Sequence, residues 1–168
     1  MAKDSEASLI LWVDADSCPR PARDLVSRTS MRLSLPLIYV ANHQIPAPES
    51  PHFTMIVCQT HQDAADDYIV EHARPNDLVI TRDIPLAKRL VEKNITVIND
   101  RGVVYTEKNI SERLSMRNFM MDLYNNGFTP EKTGQYGPKE RQEFANAMDR
   151  EITRLTKLIL QYRESARE

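Results

Sequence analysis

The sequence predicts a single three-layer α/β domain with a mostly parallel central sheet. Two observations carry this expectation. Short, unbroken apolar runs recur between Leu9 and Ile98, and segments with helical patterning separate them. An apolar run without polar alternation marks a strand buried on both faces. Such strands alternating with helices give a parallel sheet covered on both sides.

The totals agree with one domain. At 168 residues the chain can bury one real core and has little room for a second. Apolar residues at 41% and charged residues at 27% give a globular balance and exclude a disordered or fibrous chain. Lys and Arg number 22 against 24 Asp and Glu, so a net charge of −2 offers no global pull on nucleic acid or anionic membrane. Any polyanion site must be local. The run Leu9 to Val13 is too short to span a bilayer, and the polar start lacks the basic and apolar parts of a secretory leader. The expectation is a cytoplasmic protein with no membrane partner. Cys18 and Cys58 form neither a CxxC pair nor a disulfide framework, and His43, His52, His61 and His72 are scattered. That disfavours zinc and leaves oxygen ligands as the available kind.

In chain order, Leu9 to Val13 is the first strand and ends in Asp14-Ala15-Asp16-Ser17-Cys18-Pro19-Arg20-Pro21, a loop entering a helix over Ala22 to Arg32. Further strands are expected over Leu37 to Ala41, Phe53 to Cys58, Leu78 to Thr81 and Ile95 to Ile98. A proline-rich loop spans Asn42 to Pro51, and helices cover Gln62 to Ala73 and Leu86 to Glu92. A longer helix follows, with Asn109 and Glu112 spaced as a capping box and Gly127 just past its end. Residues 127–138 read as a flexible loop that separates a core of residues 1–126 from a helix over 139–168. In that last helix Phe144, Met148, Ile152, Leu155, Ile159 and Tyr162 form an apolar stripe, suited to packing on the core or on a second copy in a homodimer.

Ligands of an open parallel sheet bind beyond the carboxyl ends of its strands. Asp14 and Asp16 follow the first strand, Asp83 the fourth, and Asn99-Asp100 the fifth, while Asp66 and Asp67 sit early in the helix after the third. Converging carboxylates repel unless a hard cation such as Mg²⁺ or Mn²⁺ neutralises them. Such a cation can activate water and hold a phosphodiester, so phosphoryl transfer is the chemistry expected of Asp14, Asp66 and Asp83, with Asp16, Asp67 and Asp100 as further metal ligands. Asp66 shares the helix face of Ala65, Ile69 and Ala73, which favours it over Asp67. Local roles compete at each position. Asp63 could cap that helix, Asp66 and Asp67 could offset its dipole, and Asp83 could cap the next.

Among the cations, Arg20, Arg82, Arg113 and Arg117 are the candidate nucleic-acid contacts, with Arg23 near the same edge. Arg113 and Arg117 also fit a solvated helix face paired with Glu112 or Asp122. Tyr105, Phe128 and Tyr136 are candidates for stacking on bases. Cys18 lies beside acids that raise a thiol's pKa, so it reads as a packed loop residue and not as a nucleophile.

Several of these segments are similar to one known family. The stretch Asp14 to Pro19, the run Ala65-Asp66-Asp67 with Ile69, and Leu78 to Ala87 carry the resemblance, together with Arg113 to Arg117, Arg141-Gln142, Phe144-Ala145-Asn146 and Asp149-Arg150. In that order they resemble the YaiI/YqxD family of bacterial proteins. The resemblance implies a PIN-like, nuclease-type sheet and a metal-dependent nuclease, with RNA the expected polymer. Asp14 matches the first metal acid of that fold, Asp66 or Asp67 the helix acid, Asp83 the acid after the fourth strand, and Asp100 a fourth. The helix acid departs from the longer glutamate of many PIN proteins.

Two other functions fit parts of the same pattern. A haloacid-dehalogenase-like phosphatase would use Asp14 as nucleophile and Asp16 as acid, with Thr81 and Lys88 as later partners; Asn99-Asp100 is a poor late acidic pair, and Cys18 stands where Thr or Val is usual. A non-catalytic binding module would keep the acids for a structural cation.

Overall fold

The computed structural model describes residues 8–129 and 134–168. The leader reading therefore rests largely on residues outside the described ones, and the loop expected over 127–138 falls partly on 130–133, also outside them.

Six strands form one sheet in the order β3-β2-β1-β4-β5-β6. The strands are β1 (Leu11–Asp14), β2 (Leu37–Ala41), β3 (Phe53–Val57), β4 (Leu78–Ile80), β5 (Thr96–Ile98) and β6 (Val104–Tyr105). The first five run parallel, and β6 pairs antiparallel with β5. The expected mostly parallel three-layer architecture is present, in keeping with a PIN-like fold. β6 was not foreseen: two residues carry no periodicity. It returns through a tight turn at Gly102, whose φ of +85° and whose Cβ position, 2.6 Å from Glu143 O, both demand glycine.

Alternation along β1 sorts the two layers. Leu11 and Val13 pack with Val26 of α1 (Arg20–Leu33) and with Phe144, Met148, Ile152, Leu155 and Ile159 of α5 (Pro138–Arg167). On the other face, Trp12 packs with Ile69 of α2 (Ala64–His72), with Leu86 and Leu90 of α3 (Ile84–Glu92), and with Ile110 of α4 (Glu107–Asn125). The stripe on α5 is thus spent on the core as far as Ile159, whereas Tyr162 is 74% exposed and lies off it.

Local signals set the helix ends. Pro21 stands at the start of α1, which opens two residues before the expected Ala22, and Ser34 ends it in the left-handed region at φ 54°. The capping box of α4 is Thr106 with Asn109, not Asn109 with Glu112. Both pairs have the required spacing, but β6 delivers the extended backbone at Thr106 that an N-cap needs. Asp63 precedes α2 without a side-chain capping bond, and Asp83 caps α3 by accepting from Leu86 N at 2.9 Å.

One buried acid belongs to the opposite, amino edge of the sheet. Asp77 accepts from Ile10 N, Trp12 Nε1 and Arg74 N, all at 3.0 Å. Asp77→Ala leaves those donors unpaired in the core, an expected loss of about 2 kcal/mol, seen as a melting temperature lower by roughly 4–8 °C. Thermal denaturation followed by circular dichroism checks it.

Candidate metal centre at the sheet's switch point

From β1 the chain steps outward to β2 and β3, then crosses back to add β4 on the other side of β1. The order reverses between β1 and β4, and open α/β sheets bind ligands in the crevice at such a point. Asp14 is the last residue of β1, and Thr81-Arg82-Asp83 follow β4 directly.

Asp14 is 3% exposed. Alternation puts it on the face of Trp12, the layer of α2 and α3. Thr81 Oγ1 donates to its Oδ2 at 2.7 Å, and Ser17 Oγ donates to the same oxygen at 2.8 Å. Two backbone groups fasten these hydroxyls in turn: Arg82 N donates to Ser17 Oγ at 3.1 Å, and Asp83 N to Thr81 Oγ1 at 2.9 Å. Burial raises the Asp14 pKa above the usual carboxylate value; the two hydroxyls oppose this, while the charges of Asp83 and Asp16 add to it.

Asp66 reaches the same crevice from the first turn of α2. Its pKa is pushed up to about 7, first by burial and then by the charges of Asp14, Asp83 and Asp63, with Arg89 opposing. Three acids from three separate elements therefore feel one another. Asp67, one residue on, turns outward to His61 Nε2 and Arg89 Nη1, each at 2.9 Å, and those bonds hold its pKa low.

The other expected ligands lie differently. Asp16 is occupied by Asn42 N at 2.8 Å and by His43 Nδ1 at 3.4 Å. Asp100, 1% exposed, takes Arg82 Nε at 2.9 Å and Nη2 at 2.6 Å, a bidentate pair. Its strand neighbour Ile98 belongs to the α1/α5 layer, so the pair forms away from Asp66. Arg82 is thereby tied to a carboxylate.

Of the remaining cations, Arg20 is exposed and 3.9 Å from Asp24. Arg113 lies 5.9 Å from the Tyr105 ring centroid, and Arg117 donates to Asn118 Oδ1. Neither pairs with Glu112 or Asp122 among the described residues. Tyr105 is buried and so unavailable for stacking, whereas Phe128 is exposed. Sequence reasoning missed Ser17, His61 and Arg89. The signal for Ser17 was its position three residues past Asp14, the reach of an Asx-type turn.

Cys18 is buried, and its thiol is pushed up to about 12 by burial first and by Asp100 and Asp14 next. It remains protonated at neutral pH. Both cysteines are free. Cys18→Ser is expected to keep most of any catalytic activity at some cost in melting temperature, since a hydroxyl replaces a packed sulfur; loss of all turnover in a folded variant would instead assign the thiol a chemical role.

The hydrogen bonds among the described residues leave Asp14 Oδ1, Asp83 Oδ2 and both Asp66 oxygens without a partner. Among those residues no three His, Cys, Asp or Glu side chains are close enough to enclose one ion. The donor set still suits a hard cation that keeps much of its water, because Mg²⁺ is commonly held through one or two carboxylates.

The family model described as Uncharacterized BCR, YaiI/YqxD family matches residues 12–154. The chain belongs to the YaiI/YqxD family. Relatives named as UPF0178 proteins agree. One from Treponema pallidum (strain Nichols) is 51% identical over 150 residues, 89% of this chain and 85% of that protein. One from Syntrophobacter fumaroxidans is 48% identical, over 88% of this chain and 97% of its own. A third, from Myxococcus xanthus, is 44% identical over 88% and 96%. The match of the YaiI/YqxD model takes in Asp14, Asp66 and Asp83. No solved structure matches the chain, and no helix among the described residues is long and apolar enough to cross a membrane.

Proposed function

We propose that this YaiI/YqxD chain is a divalent-cation-dependent nuclease acting in the cytoplasm on phosphodiester bonds, with RNA as the expected polymer. The observation that carries the reading is the convergence of Asp14, Asp66 and Asp83 at the switch point, close enough that two of them help push the third up to about 7.

Asp14 and Asp83 would hold Mg²⁺ or Mn²⁺ through the oxygens their hydrogen bonds leave free. Bound there, the cation supplies Lewis acidity toward a phosphodiester and neutralises the repelling carboxylates. The protein's own part is positional. Ser17 and Thr81 fix the Asp14 carboxylate through one oxygen. The Asp100–Arg82 pair anchors the turn that carries Thr81 and Asp83. Asp66, whose oxygens carry no hydrogen bond among the described residues and which faces Asp14 and Asp83, is suited to accept a proton from attacking water.

The phosphatase reading is the weaker one, because the late acid Asp100 is held at both oxygens by Arg82. The binding-module reading draws on one observation, the lack of a three-residue ligand set among the described residues. The test is direct: purified protein is incubated with single-stranded RNA and DNA in Mg²⁺, Mn²⁺ or EDTA. Cation-dependent cleavage is expected. Retention of the polymer without cleavage would support the binding module and end the nuclease reading.

A further inference from the structure

The helix α4 is 19 residues long, yet Ile110 is its one buried residue. Beyond that point its residues are half-buried or exposed. Met116, Phe119 and Met121 on α4, with Tyr124 near its end and Phe128 just past it, are each between 46% and 65% exposed. At about 3.6 residues per turn Met116, Phe119 and Tyr124 share one broad face, and Met120, Met121 and Tyr124 line an open groove beside Arg117. Ser115, Asn118, Asp122 and Asn125 make up the polar side, and a broad apolar face opposite such a side is stable when covered. The stripe on α5 cannot enclose it, being buried against the sheet.

We propose that the second half of α4 is a homodimer interface, in which Met116, Phe119 and Tyr124 of one copy pack against the same segment of a second copy. Two arguments select a second copy over other occupants. The first is charge. The helix carries Glu107, Glu112 and Asp122 against Lys108, Arg113 and Arg117, three of each sign. Nucleic acid, an acidic peptide or an anionic membrane would each call for an excess of cations. A patch that must face itself across a twofold axis needs both signs in balance. Arg117 and Asp122 stand in its rim with no ion pair among the described residues, each available to the opposite charge of the partner.

The second argument is area. Met116, Phe119 and Tyr124, with Phe128 just past the helix, present on the order of 400 Å² of apolar surface. That matches the largest patch a monomer ordinarily tolerates. With its polar rim it approaches the roughly 800 Å² per partner of a stable interface.

The experiment is sedimentation equilibrium on the full chain between about 1 and 100 µM, the range in which an interface of this class associates. The expected mass is twice the 19.3 kDa of the chain. Phe119→Asp and Met116→Lys should each weaken the dimer roughly 100-fold or more, because each substitution enters the interface twice. Their circular dichroism and melting temperature at low concentration should stay at the parent's, since both residues are exposed. A monomer throughout the range overturns the proposal. A dimer that survives both substitutions places the interface elsewhere, such as the exposed end of α5 around Leu160, and overturns it equally.

Discussion

Asp14→Asn and Asp83→Asn should each lower kcat/KM for cation-dependent cleavage of single-stranded RNA by roughly 10²- to 10⁴-fold, with the fold intact. The separation of activity from stability is what gives the comparison its force. At Asp83 the amide still presents an oxygen to Leu86 N, and asparagine is as good an N-cap as aspartate, so α3 keeps its start. At Asp14 the amide oxygen can still accept from Thr81 and Ser17, while the negative charge is lost. Glu92→Gln, on the exposed end of α3, serves as the control and should cleave like the parent. Equal cleavage by parent, Asp14→Asn and Asp83→Asn would show that these acids do not carry the chemistry.

The second large effect is a reversal of stability order between metal-free and metal-loaded protein. In the metal-free chain the Asp66 carboxyl sits at about 7, well above its unfolded value of about 3.9. A folded pKa raised in this way contributes stability that is fully present below about pH 3.9 and is lost as pH rises through about 7. The metal-free protein should therefore soften between those limits, and Asp66→Asn should flatten that decline. Because Asp66 is only half-buried, solvent screening holds the gain at pH 8 to on the order of 1 kcal/mol, or roughly 2–4 °C in melting temperature. With Mn²⁺ the order inverts. A cation that binds only the folded state adds about 2.7 kcal/mol at a hundredfold excess over its dissociation constant, and Asp14→Asn, Asp66→Asn and Asp83→Asn should each forfeit most of that. Melting curves across pH with and without Mn²⁺ give both halves. No Mn²⁺-dependent rise at millimolar concentration would count against a cation site.

The strands were legible because covering a parallel sheet on both faces requires uninterrupted apolar runs, and the chain supplies them at Leu11 to Val13 and Leu78 to Ile80. The strand-end rule then pointed to Asp14 and Asp83 without knowledge of the strand order. What could not be read was which partner each acid would find. Asp100 follows its strand as closely as Asp83 follows β4, but Arg82, eighteen residues earlier, folds back to take both its oxygens. Alternation from Ile98 onto the α1/α5 layer was the available clue. Asp67 illustrates the same limit, since His61 and Arg89 reach it only through tertiary packing. The exposed second half of α4 had no legible signature either, because an apolar face on a helix reads the same whether it packs on the core or stays open.

The most direct test of the metal centre is an anomalous difference map from crystals soaked in Mn²⁺. A peak is expected in the crevice between β1 and β4, within coordination distance of Asp14 Oδ1 and Asp83 Oδ2 and with Asp66 facing it directly or through one water. Mn²⁺ bound only at surface acids such as Asp67 or Glu92, with the crevice free of anomalous density at saturating metal, would contradict it.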